Sequence, residues 1–134
     1  MIALELARAL RAAGLAWNPL PGDRFVVPDR GMDDEVFVIS TMVVEVQDVP
    51  NGRQIIGFNG TTEWALDSLE HDQVVWMPRE SQLREMLDER FVRLETVTGG
   101  FAVVIDLDGE QREVDGDAES AYARALLAVL AVSA

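Results

Sequence analysis

Apolar residues recur every three to four positions at the start of the chain. Ile2, Leu6, Ala9, Leu10 and Ala13 fall on one side, and Glu5, Arg8 and Arg11, three apart, form a narrow polar face opposite. That period predicts an amphipathic helix over residues 2–13, with Gly14 as its C′ stop. Asn18-Pro19-Leu20-Pro21-Gly22-Asp23 reads as a loop. The period then shortens. Residues 24–27 are a short apolar run closed by Pro28, residues 28–34 an acidic loop, and residues 36–39 and 42–47 read as strands. In the last of these Met42, Val44 and Val46 alternate with Val43, Glu45 and Gln47, the signature of one buried and one wetter face. Pro50-Asn51-Gly52 signals a hairpin turn, and residues 54–58 are the returning strand.

Thr61 or Thr62 is placed to cap a short helix over residues 62–70, with Glu63 in its first turn. Residues 73–77 form a brief apolar strand stopped by Pro78. Residues 79–90 predict a second amphipathic helix with Leu83, Met86, Leu87 and Arg90 on one side, and Glu80–Arg84 and Arg84–Asp88 paired four apart. A meander follows over residues 91–97, 101–107 and 111–114, turning at Thr98-Gly99-Gly100 and Asp108-Gly109. Asp117 is the expected N-cap of a last helix. Helices and strands do not alternate strictly, so the pattern predicts an α+β fold. It would be a mostly antiparallel sheet with about four helices packed on it, in a single domain over residues 1–134.

Composition narrows the chemistry. Cysteine is absent, which excludes disulfides, thiolate nucleophiles and cysteine-ligated metals. All 11 basic residues are arginine, so there is no Schiff-base or P-loop lysine. His71 is the single histidine and rules out a metal site with two histidines from one chain. No cofactor is expected. The net charge of −13 repels phosphate backbones and anionic lipids, so neither nucleic acid nor membrane is an expected partner. The amino-terminal stretch lacks the apolar core of a signal peptide. The longest apolar run, residues 125–132, is far below the roughly 20 residues needed to cross a bilayer. A cytoplasmic location is the expectation.

Several constellations invite a functional reading. Glu63, Asp67 and His71 are spaced i, i+4, i+8, so a helix continuing through position 71 would align two carboxylates and an imidazole. Such a row suits a divalent metal or general acid–base work; the competing reading is a solvated helix edge. Asp106, Asp108, Glu110, Asp115 and Asp117 resemble a calcium loop only superficially, because Val104 falls where an EF-hand requires a carboxylate. No dedicated metal site is expected there. Ser68 has no nucleophile elbow around it. Arg79, Arg84, Arg90 and Arg93 are interleaved with acids and read as paired surface side chains. Trp64 and Trp76 read as core anchors. Trp17, beside the Pro-rich loop, is the most open of the three and, with Asn59 and Thr61, the candidate lining of a ligand pocket.

The last helix carries Arg124 as its only charge between positions 121 and 134. Tyr122, Leu126, Leu127, Val129 and Leu130 lie on a surface that is apolar nearly all round. Such a helix is either buried on more than one side or exposes a strip that pairs with a second copy or another protein.

L-E-L-A-R-A-L-R-A-A-G-L-A-W, P-G-D-R-F-V-V-P-D-R, G-F-N-G-T-T-E-W-A-L-D-S and A-Y-A-R-A-L-L-A together resemble a group of small acidic actinobacterial proteins that sometimes carry a pilus-assembly label. The resemblance implies no activity and no site residues. The label implies a MinD-like ATPase, from which this chain departs in having neither P-loop nor lysine. The functional expectation is a non-enzymatic protein-interaction or adaptor domain, its partner another protein or a second copy in a homodimer, working through the last helix or the loops at residues 28–35 and 57–64. The alternative is a small carboxylate-dependent metal binder or enzyme centred on Glu63, Asp67 and His71.

Overall fold

A computed structural model describes residues 1–28, 36–39, 44–48, 54–58, 68–70 and 74–133. In chain order the first elements are α1 (Leu4–Ala12), β1 (Arg24–Val26), β2 (Phe37–Val38), β3 (Val44–Asp48), β4 (Gln54–Phe58), β5 (Ser68–Glu70) and β6 (Val75–Trp76). There follow α2 (Glu80–Leu87), a 3₁₀ turn (Asp88–Arg90), β7 (Phe91–Val97), β8 (Gly100–Asp106), β9 (Glu110–Asp115) and α3 (Ala118–Ser133). The fold is α+β with antiparallel sheets and a small number of packed helices. Contacts gather into two compact units, Trp17–Met77 and Met1–Ala16 with Pro78–Ala134.

In the Trp17–Met77 unit, one sheet runs β2-β1-β6 and another β3-β4-β5. β3 and β4 pair from Val44↔Phe58 to Asp48↔Gln54, as a hairpin turning near Asn51-Gly52 requires. The turn itself lies outside the described residues. The core here is aromatic: Trp17, Phe25, Val27, Ile39 and Val74 are buried, with Phe37 and Trp76 packed against them. Residues 62–70 do not form one helix. Ser68–Glu70 is a strand whose Leu69 pairs with Ile56 of β4.

In the other unit, α1 ends in a Schellman motif. The Leu15 N–H donates to Leu10 O and the Gly14 N–H to Arg11 O, both at 3.0 Å, with Gly14 at φ +101°. Ala7 and Leu10 are buried, and Glu5, Arg8 and Arg11 are exposed, as their spacing predicts. At the start of α2 the Gln82 side chain accepts from the Arg79 N–H at 2.8 Å. The helix is shorter than residues 79–90. Asp88 adopts φ +52° and Asp88–Arg90 make one 3₁₀ turn, which redirects the chain into β7.

The meander β7-β8-β9 is antiparallel throughout. Thr98 and Gly99 close the first hairpin, with Gly99 at φ +83°. Gly100 next to it is needed for a different reason: a Cβ there would collide with the carbonyl oxygen of Asp115. In the second hairpin Asp108 sits at φ +57° and the Gly109 N–H donates to Asp106 Oδ1 at 3.0 Å. Asp117 caps α3, its Oδ1 accepting from the Ser120 N–H and its Oδ2 from the Ser120 hydroxyl, both at 2.8 Å. α3 packs on α1, α2, β8 and β9.

Candidate functional site

Glu63, Asp67 and His71 lie outside the described residues, as do Asn59, Thr61 and Trp64. The described backbone bears on the first three all the same. An i, i+4, i+8 row needs helix through positions 68–70, and those residues are paired as a β-strand, in which side chains alternate between faces. A helix running unbroken from position 63 to position 71 is therefore not formed, and the placement of the three side chains lies outside the described residues. Among the described residues no group of three or more His, Asp or Glu side chains is placed to hold a metal ion.

Trp17 is not the open member of the tryptophan set. It is buried, stacked on Trp76 with centroids 6.2 Å apart, and tilted against Phe25 at 6.0 Å. Its indole Nε1–H donates to Asp23 Oδ2 at 2.9 Å, and the Leu20 N–H donates to the same oxygen at 3.1 Å. The loop before β1 thus folds around its own acceptor, and Trp17 is a core anchor with its polar handle satisfied.

The acids between positions 106 and 117 are engaged in structural contacts. Asp106 and Asp117 serve the turn and the cap described above. Asp115 pairs with Arg124 Nε at 2.6 Å, and that guanidinium holds the Asp115 carboxyl below its usual range. A groove of about 420 Å³ beside these groups, lined by Glu5, Leu6, Asp115, Asp117, Ser120 and Arg124 among others, is floored by side chains already bonded to one another. Arg93 donates through Nη1 and Nη2 to both oxygens of Glu110, at 3.0 and 3.2 Å, and through Nε to Glu95 at 2.5 Å. These two carboxylates push the guanidinium pKa further up, and Arg93 in turn holds Glu110 low. Arg112 reaches Glu95 at 3.1 Å, and Arg84 stacks 4.6 Å over the Phe91 ring. Of the arginines expected to pair with interleaved acids, Arg93 does so, whereas Arg84 stacks on Phe91 and Arg90 donates to the Asp106 carbonyl oxygen at 3.2 Å.

Of the five α3 candidates, Tyr122, Leu126 and Val129 are buried within the chain, and Leu127 and Leu130 are part-exposed. Tyr122 meets Phe91 at 5.7 Å, and burial pushes its phenol pKa up. Between the two readings of an all-round apolar helix, packing on four neighbouring elements accounts for most of that surface.

The uncovered large apolar side chains of this unit are Met1 before α1, Val92 and Leu94 on β7, Val114 on β9 and Val132 near the end of α3. Among the described residues strand order makes β7 and β9 the edges of this sheet, and α3 spreads chiefly over β8 and β9. Val92 is left 41 % exposed and Leu94 39 %. Arg93 and Glu95, on the face opposite Leu94, share it in register with Val104 and Ala102, and the register shifts between Phe91 and Arg93, so Val92 falls at an irregularity of the strand. Sequence alternation identifies residues 91–97 as a strand but does not say which strand of the meander is left unflanked. That is a tertiary fact, and the reason Val92 and Leu94 escape a reading of the sequence.

Comparison with known proteins returns no matching family model, no matching curated protein and no matching solved structure. No helix among the described residues is long and apolar enough to cross a membrane.

Proposed function

We propose that this chain is a protein-interaction domain that works by binding rather than by catalysis, with the β7 flank as its contact surface and another protein or a second copy as its partner. The observation that carries the reading is the exposure of Val92 and Leu94 on an edge strand that α3 meets at Phe91 but does not cover. An edge strand offers a row of backbone donors and acceptors, and apolar side chains beside that row give an incoming strand something to bury. The polar groups nearby support it, since Arg84, Arg93, Arg112, Asp115 and Asp117 are engaged with one another and with their neighbours. The absence of thiol and amine side chains points the same way.

Affinity purification from the native host, with the tagged chain and its Leu94→Arg variant side by side, tests the reading. The expected result is at least one protein, a second untagged copy included, retained by the former and lost by the latter. Identical sets would remove β7 as the contact surface. Turnover of a metabolite abolished by Glu63→Gln or Asp67→Asn would replace binding with catalysis.

A further inference from the structure

An aspartate followed by glycine occurs twice among the described residues, at Asp108-Gly109 and at Asp115-Gly116. We propose that the first, at the tip of the β8–β9 hairpin, is a site of self-modification, where the chain converts an aspartyl into an isoaspartyl residue. The second is held against the same reaction by its surroundings. This modification is independent of the interaction reading above.

The chemistry needs only water. The Gly109 backbone nitrogen attacks Cγ of the protonated Asp108 side chain. A new N–C bond replaces a C–O bond, and the amide proton leaves with the side-chain hydroxyl as water. The five-membered imide then takes up water at either carbonyl. Opening at Cγ restores aspartate. Opening at the main-chain carbonyl routes the backbone through the side chain, adds one methylene to it and frees an α-carboxylate. The first step favours a side chain free to turn, a carboxyl not pinned as an anion and a following residue without a Cβ, whose backbone can swing toward Cγ.

The two pairs differ in each respect that the fold controls. Asp108 is exposed, and no described residue bonds its carboxyl. Its φ of +57° lies in the left-handed region, which aspartate tolerates but does not prefer. Gly109 follows at φ +124°, with open space where a Cβ would stand. The tip lies beyond the last rung of the ladder, Asp106↔Glu110, so an added main-chain atom displaces no strand pair. What restrains it is slight: the Gly109 N–H donates to Asp106 Oδ1 at 3.0 Å in an exposed bond, and the Leu107 N–H donates to the Gly109 carbonyl at 2.9 Å. Asp115 is placed otherwise. Its carboxyl accepts from Arg124 Nε at 2.6 Å and from the Asp117 N–H at 3.4 Å. The guanidinium favours the anion, which is not the electrophile the cyclisation needs. Its main chain is strand, paired with Phe101, and its carbonyl oxygen fills the space that a Cβ on Gly100 would take.

Peptide mapping of the full chain tests the proposal, after prolonged incubation in mildly acidic buffer made with oxygen-labelled water. Imide hydrolysis leaves a heavy oxygen in the product, and fragmentation separates isoaspartyl from aspartyl peptides. The peptide carrying Asp108 is expected to gain isoaspartate several times faster than the one carrying Asp115. In concentrated urea the two rates should converge, which assigns the difference to the fold. Arg124→Ala should speed the reaction at Asp115 alone, with the unchanged Asp108 rate in the same sample reporting an intact hairpin. Asp106→Ala frees the Gly109 N–H and should speed the reaction at Asp108 by roughly two- to tenfold. Equal rates at the two sites in the folded chain overturn the proposal, as does the absence of isoaspartate at Asp108. A rate ratio that is the same in urea and in buffer overturns the protective role of Arg124 and the strand.

Discussion

A carboxylate only 2 % exposed is stable where donors replace the water it has lost, and Asp23 has them from its own loop. Trp17 Nε1–H and the Leu20 N–H converge on one oxygen of the side chain, while the Asp23 carbonyl accepts from the Ile39 N–H at 2.9 Å. One residue therefore ties the Pro-rich loop, the first tryptophan and the segment after β2 together. Asp23→Ala leaves one buried and one part-buried donor without their acceptor and should cost about 2–3 kcal/mol of stability. Denaturant unfolding measures that loss, and Asp23→Asn, which keeps an acceptor oxygen, should recover part of it. A Pro-rich loop beside a tryptophan reads as an open site because no apolar period marks it as core. The signal that was present, an acid six residues after Trp17, becomes meaningful only once the chain folds back on itself.

At the scale of the element, periodic segments were legible and short ones were not. Residues 54–58 and 91–97 form strands with the bounds their alternation implies, and Asp117 caps α3 as expected. β5 has three residues, Ser68–Glu70, too few to display a period, and its acidic neighbours imitate a helix start. The second helix overshoots its end because Asp88 takes a left-handed backbone that no local pattern announces. α3 is the element whose role depended most on its surroundings. Its all-round apolar sequence fits both burial and docking, and contact with two helices and two strands decides for burial over most of its length. Tyr122, the chain's single tyrosine, reports on that packing. Burial raises its pKa above the ordinary value of about 10, so the folded chain keeps the phenol proton longer than the unfolded chain does. The resulting stabilisation is complete below pH about 10 and is lost as pH climbs through the folded-state pKa. Ultraviolet titration should show a delayed phenolate transition, and Tyr122→Phe should flatten the alkaline fall in stability. A tyrosine titrating at its ordinary value would mean that α3 is not packed as described.

For the whole molecule, the charge of −13 acts against association of two copies. Two copies brought together repel over tens of ångströms, whereas apolar contact at a side chain such as Leu94 would act over a few. Salt separates these ranges. The Debye length falls from about 30 Å at 0.01 M to about 8 Å at 0.15 M, so the long-range repulsion is screened away first and the close contacts least. The dimer dissociation constant should therefore fall as salt rises through that interval. An interface held mainly by complementary surface charge would show the reverse trend. Sedimentation at the two ionic strengths reads the sign directly. If instead self-association weakens steadily with salt, attraction between charged groups rather than apolar contact holds the two copies.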